Sequence, residues 1–109
     1  MKPSEILEKA ADLLEPEGSW TKNHYALTKD NAEVSWNDPE AICFCVEGAI
    51  SRIAGGRTNG LVARRFLQDV IRKDIVCWND AAARTQPEVV RALREAAHLA
   101  KEQEYSDAL

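Results

Sequence analysis

Apolar residues recur at intervals of three and four in four stretches of the chain, the pattern of helices that bury one face. Ile6, Leu7, Ala10, Ala11, Leu13 and Leu14 form the first stripe. It predicts a helix over residues 4–14, capped by Ser4, with Glu5 and Glu8 at its positive end and Pro16 and Gly18 beyond its stop. A second helix is predicted from Trp36-Asn37-Asp38-Pro39-Glu40, where Asn37 or Asp38 caps and Pro39 suits the first turn. Its stripe is Ile42, Cys45, Val46, Ala49, Ile50 and Ile53, and Gly55-Gly56 end it. A third runs from Thr58 or Asn59 to about Lys73, with Val62, Ala63, Phe66, Leu67, Val70 and Ile71 inward and Arg64, Arg65, Gln68, Asp69 and Arg72 outward. The fourth opens on Thr85-Gln86-Pro87-Glu88, a capping box with proline in the first turn. It carries Val89, Val90, Leu93, Ala96, Ala97 and Ala100 inward to about Gln103, and residues 104–109 are expected to fray.

Between the first two helices the pattern shortens to alternation. Tyr25-Ala26-Leu27-Thr28 and Glu33-Val34-Ser35-Trp36 flank the turn residues Lys29-Asp30-Asn31, so a β-hairpin is predicted. Tyr25 and Leu27 are expected on the same side as Val34 and Trp36. Ile75-Val76-Cys77-Trp78 reads as a short extended run, either a third strand or a seal on the core. Asn79-Asp80 then caps a single turn over residues 81–84, with Asp80 and Arg84 spaced for an ion pair. The fold class expected is mainly α: one compact four-helix domain over residues 1–109, with a short β-hairpin between the first and second helices.

The 109 residues, 45% hydrophobic and 29% charged, fit one globular domain. No window approaches the roughly 18 consecutive apolar residues of a spanning helix, so no membrane role is expected. The first residues, Met-Lys-Pro-Ser-Glu, lack the apolar segment of a signal peptide, which predicts a cytoplasmic protein. Cys43, Cys45 and Cys77 are an odd number and suit a reducing compartment.

Charge changes the picture. Residues 1–50 carry a net -6 and residues 51–109 a net +2. The acidic cluster Glu5, Glu8, Asp12, Glu15 and Glu17 is therefore the candidate partner-binding face. The alternative is an anion-binding face of Arg52, Arg57, Arg64, Arg65, Arg72 and Lys73, whose guanidinium forks suit phosphate. A third reading is that the two sets satisfy each other internally.

Signals for chemistry are sparse. Trp36-Asn37-Asp38 and Trp78-Asn79-Asp80 repeat a tripeptide; they read as helix entries, or alternatively bring Asp38 and Asp80 together as a carboxylate pair. Cys43-Phe44-Cys45 within a helix would face its thiols apart and cannot chelate one ion. Cys77 with His24 or His98 lacks any nucleophile motif, and all three thiols are expected in the core. Gly55-Gly56-Arg57-Thr58-Asn59-Gly60 is either a plain helix stop and start or a backbone anion site. No catalytic residue, cofactor or metal is assigned, and an enzyme is not expected. Trp20 and Trp36 are the candidates for an exposed apolar patch.

Trp20-Thr21, the run Ala41-Ile42-Cys43-Phe44-Cys45-Val46-Glu47-Gly48-Ala49-Ile50, Trp78-Asn79-Asp80, and Arg84-Thr85 with Glu88-Val89-Val90 resemble a small uncharacterised family of phages and bacteria. The resemblance spans about residues 6–97, and Cys-x-x-Gly-Ala-Ile and Trp-Asn-Asp are its most specific pieces. It carries no activity and no catalytic residue. It implies a phage- or mobile-element-encoded protein that binds and blocks a host protein complex, such as a CRISPR effector. The expectation is a stoichiometric, non-enzymatic binding protein, a monomer or small homo-oligomer. A nucleic-acid-binding regulator and a small metal-dependent enzyme are the alternatives.

Overall fold

The computed structural model describes all 109 residues. The helix α1 (Pro3–Leu14) buries Ile6, Leu7, Ala10, Ala11 and Leu14, the stripe its spacing predicts. Ser4 is not its cap. It sits inside the first turn, buried, and donates from its backbone N–H and its hydroxyl to the Glu104 carboxylate at 3.1 and 2.6 Å. Glu104 belongs to α5 (Gln86–Ala108), which stays helical through the segment expected to fray. Tertiary capping of α1 is what gives that last stretch a partner.

At the other end of α5, the Gln86 amide donates to the carbonyls of Leu14, Glu15 and Pro16 at 2.6–3.1 Å, satisfying the orphan C-terminal carbonyls of α1. The two helices are therefore antiparallel, and α5 holds α1 at both ends. The capping box at Thr85 and Glu88 forms as the sequence predicts. The inward face of α5 is Val89, Ala92, Leu93, Ala96, Ala97 and Ala100, with Val90 only partly buried. Leu7, Leu14 and Leu93 are completely buried, each worth about 1.5–3 kcal/mol in apolar burial.

The region between α1 and the next helix departs most from expectation. The hairpin exists, as β1 (Ala26–Leu27) and β2 (Glu33–Val34), but its register pairs Ala26 with Val34 and Leu27 with Glu33. Ala26 thus turns into the core and Tyr25 stays exposed, one residue off the predicted side assignment. The third strand is not the 75–78 run. It is β3 (Cys43–Phe44), antiparallel to β1, giving the order β2-β1-β3.

Pairing of β3 with β1 moves the start of the second helix. Residues 37–42 form turns and connecting chain, and α2 (Val46–Ala54) begins eight residues after Asp38, with Cys45 as its cap: Sγ accepts the Gly48 N–H at 3.3 Å. Asp38 accepts from the Glu40 N–H at 2.7 Å, so its carboxylate closes a local turn. Gly48 packs against the Tyr25 carbonyl, where any Cβ would collide with the oxygen.

After a 3₁₀ turn over Thr58–Gly60 comes α3 (Leu61–Ile71), which buries Ala63 and Leu67 as predicted. Two side assignments change: Val62 is exposed and Arg64 buried. The helix α4 (Ile75–Asp80) replaces the extended run, because Asp74 caps it through the Cys77 N–H at 3.0 Å. Asp80 does not pair with Arg84. Arg84 donates to the Trp78 carbonyl at 2.9 Å, covers the Trp78 ring and pairs with Glu88. No helix is long and apolar enough to cross a membrane.

Asn79, fully buried, joins α4 to the sheet end of the molecule. Its Oδ1 accepts from Trp20 Nε1 at 2.7 Å and from the Val46 N–H at 3.0 Å. Its Nδ2 donates to the Thr21 carbonyl at 3.1 Å and to Asp80 Oδ1 at 2.9 Å. Replacing Asn79→Ala orphans a half-buried indole N–H and a buried helix N-terminal amide, and we expect a loss on the order of 3 kcal/mol, read as a lower urea midpoint at unchanged slope. A loss below about 0.5 kcal/mol would show that water replaces the amide without cost.

Candidate functional site

The two charge-based faces look different once their partners are in place. Glu8 and Asp12 on α1 and Glu15 at its C-cap converge on Arg94 of α5 at 3.1–3.3 Å. Glu5 accepts the Lys2 backbone N–H at 3.0 Å, a bond that holds its carboxyl below the ordinary range. Glu17 lies beyond the helix end and is exposed. The α1–α5 groove, about 990 Å³, takes in Glu5, Glu8 and Asp12 together with Glu104, and opposes them with Lys2, Lys9, Arg94 and Lys101. It is a mixed-charge groove of balanced formal charge. His98 and Tyr105 also line it.

The arginine set divides in two. Arg52 donates to the carbonyls of Trp36 and Asp38 at 3.0 and 2.7 Å and lies over the Phe44 ring, so it pins the chain before β3. Arg64 donates to the Arg57 carbonyl at 2.6 Å, and both Arg57 and Arg64 approach Glu47. Arg65, Arg72 and Lys73 are exposed. The six cations expected on one face are thus split between internal work and solvent. The Gly55–Gly56 turn is a helix stop: Gly55 is left-handed at φ 79°, and both amides donate to the Ser51 carbonyl.

Residues proposed for chemistry do not assemble. Asp38 lies against Glu40, whereas Asp80 accepts the Asn23 N–H at 2.9 Å beside Asn79. His24 pairs with Glu33 across the hairpin, and His98 with Glu102 one turn along α5. Cys77 is exposed on α4, not in the core, because that segment is helical. Cys43 and Cys45 are buried in extended backbone, so the helical argument against joint chelation does not apply to them. No group of three or more His, Cys, Asp or Glu side chains could hold a metal ion. Burial pushes the Cys45 thiol up to about 11 and raises Cys43 as well. The hydrogen bond and charge of Asp74 raise Cys77.

Glu47 is the feature that sequence reasoning missed. It stands one residue inside α2 with a side chain only 6% exposed. Its Oε1 lies 3.4 Å from Arg64 Nε and 3.9 Å from Arg57 Nη1, yet accepts no hydrogen bond. Burial raises its carboxyl above the ordinary range, against the pull of Arg64 and Arg57. It lines a cleft of about 310 Å³ shared with Tyr25, Ser35, Trp36, Ser51 and Arg57. The available signal was a lone glutamate within the apolar run 41–50, whose helix turns out to be covered on every side from Val46 to Ser51.

A sequence model described as a family of unknown function, DUF6197, matches residues 1–99. The chain belongs to that family. The match extends slightly beyond the 6–97 span of the resemblance seen in the sequence, and it assigns no activity to any residue. None of the curated proteins and none of the solved structures compared with the chain matches it.

Two measurements check the state of these groups. A thiol reagent at pH 8 should label Cys77 slowly in the folded protein, and all three thiols only in denaturant; rapid labelling of Cys45 would contradict its burial. A buried carboxyl with a raised pKa binds more protons folded than unfolded, so its contribution to stability falls as pH rises. The stability of the native protein minus that of Glu47→Gln should therefore decline as pH rises from 4.5 through the raised pKa of Glu47. A flat difference across urea titrations at pH 4–7 would show Glu47 to be ordinary.

Proposed function

We propose that this protein is a non-enzymatic binding module that makes a stoichiometric contact with another protein through the α1–α5 groove. The supporting observation is the groove itself, at about 990 Å³ the largest concavity of the fold. Several of its charges are paired in place: Arg94 meets Glu8 and Asp12 within the groove and Glu15 beyond it, and the Glu104 carboxylate is anchored on Ser4. Carboxylates already ordered lose less entropy on meeting a partner, and charge register favours the right partner over wrong ones. Tyr105, 70% exposed at the groove end, is the type of side chain that anchors such contacts.

The partner class we place first is a protein of a bacterial defence complex. What supports this choice is the resemblance to an uncharacterised family of phages and bacteria, together with the exposed carboxylates of α1. The reading is tested by capture from bacterial lysate carrying CRISPR effectors, with and without nuclease. We expect a nuclease-resistant partner at unit stoichiometry, lost at least tenfold with the pair Glu8→Lys and Asp12→Lys. Unchanged capture by that variant would remove the groove from the contact.

One observation favours a second reading. Arg65 in the first half of α3, and Arg72 and Lys73 just past its C-terminal end, are exposed cations without an ion-pair partner. A nucleic-acid contact there would weaken steeply with salt. Partners lost wholly on nuclease treatment would move this reading ahead.

A further inference from the structure

Tyr25, 47% exposed on the hairpin, belongs to two hollows at once. One, of about 310 Å³, it shares with Trp36, Ser51 and Arg57. The other, of about 140 Å³, it shares with Glu33, Val76 and Asp80. A single aromatic side chain thus stands between adjacent depressions. That relief suits an extended chain laid across the ring better than a compact molecule seated in one hole.

The chemistry of the larger hollow narrows the occupant. Trp36 and Arg57 can only donate hydrogen bonds. Ser51 is 3% exposed, and its hydroxyl makes no hydrogen bond within the fold. It is not sealed, however, because Glu47 Oε1 is the one side-chain polar atom that is both buried and unpaired. The Ser51 hydroxyl is therefore open to the hollow it lines and free to donate there. Glu47 itself is closed off beside Arg64 and Arg57 and takes no part. The hollow asks for carbonyl acceptors and for apolar rings that pack on aromatic ones, with little use for N–H groups. A polyproline II segment meets these terms: its carbonyls are unpaired, proline carries no N–H, and its stiffness lowers the entropy lost on docking.

Charge sets the two ends. Arg57, 68% exposed, stands at the larger hollow, whereas Glu33 and Asp80 stand at the smaller. We propose that the two hollows beside Tyr25 dock a proline-rich segment of another protein, with prolines against Tyr25 and Trp36, an acidic residue at the Arg57 end and a basic residue at the Glu33–Asp80 end. The site shares no residue with the α1–α5 groove and stands independently of the contact proposed there.

The test is calorimetric titration of the full chain at pH 7 with a peptide of four prolines between a glutamate and a lysine, blocked at both termini. We expect saturable one-to-one binding with Kd of about 1 mM or tighter. A peptide with the same ends but glycine and serine in place of the prolines should bind weaker by roughly tenfold. Tyr25→Ala, a change at an exposed side chain checked for folding by circular dichroism, should weaken the proline peptide about fivefold or more. Arg57→Gln should weaken it several-fold, yet leave unchanged the binding of a peptide whose glutamate is replaced by glutamine. The proposal is overturned if the proline peptide fails to bind at about 5 mM, if the glycine-serine peptide binds equally well, or if oligothymidylate of similar length binds more tightly. It is also overturned if Tyr25→Ala and Arg57→Gln both fold and bind the proline peptide as the native protein does.

Discussion

A single buried carboxamide organises the end of the molecule where helix and sheet meet. Asn79 makes four hydrogen bonds: two with the neighbouring residues Trp20 and Thr21, one from the first amide of α2, and one to the adjacent Asp80 carboxylate. An amide suits this task because it offers donors and acceptors together without a charge to desolvate. The position of α4 is thereby tied to the start of α2, and with it the height of Glu47 one residue later. Through Thr21, whose N–H donates to the Phe44 carbonyl, the same connection reaches β3.

The charge asymmetry of the sequence is largely spent within the fold. Arg94 brings together three carboxylates of the acidic half, Arg52 closes the chain ahead of β3, and Arg64 enters the interior beside Glu47. Exposed ion pairs contribute little to stability, so the Arg94 fan matters chiefly for ordering a surface. Arg64 and Glu47 are different: both are buried, and neither can be removed without stranding the other.

The long elements were legible in the sequence because their own periodicity and caps agree with their packing. The stripe of α1 and the capping box of α5 emerge as written. The short elements were not. Asn37-Asp38-Pro39-Glu40 holds every local signal for a helix start, yet the hydrogen bonds offered by β1 draw residues 43–44 into the sheet and postpone the helix to Val46. Ile75-Val76-Cys77-Trp78 is too short for periodicity to separate strand from helix, and the Asp74 cap decided it. Glu47 escaped because α2 is covered on every side from Val46 to Ser51 and so has no polar face to place a charged residue on. Arg64 escaped for a different reason: it shares the buried side of α3 with Ala63 and Leu67, where its guanidinium reaches Glu47 and the Arg57 carbonyl.

The clamp of α5 on α1 also governs the order in which the chain can become itself. Gln86 and Glu104 supply the bonds that finish the two ends of α1, and they are separated from it by some 70 to 100 residues of chain. On a ribosome, α1 leaves the tunnel long before α5, and until the last helix follows only α2 and α3 can cover part of its apolar face. Nothing in between offers the same closure, so the native topology is completed late and all at once. Leu7 and Leu14 are thus among the side chains that wait longest for their full cover, and the finished protein hides both completely.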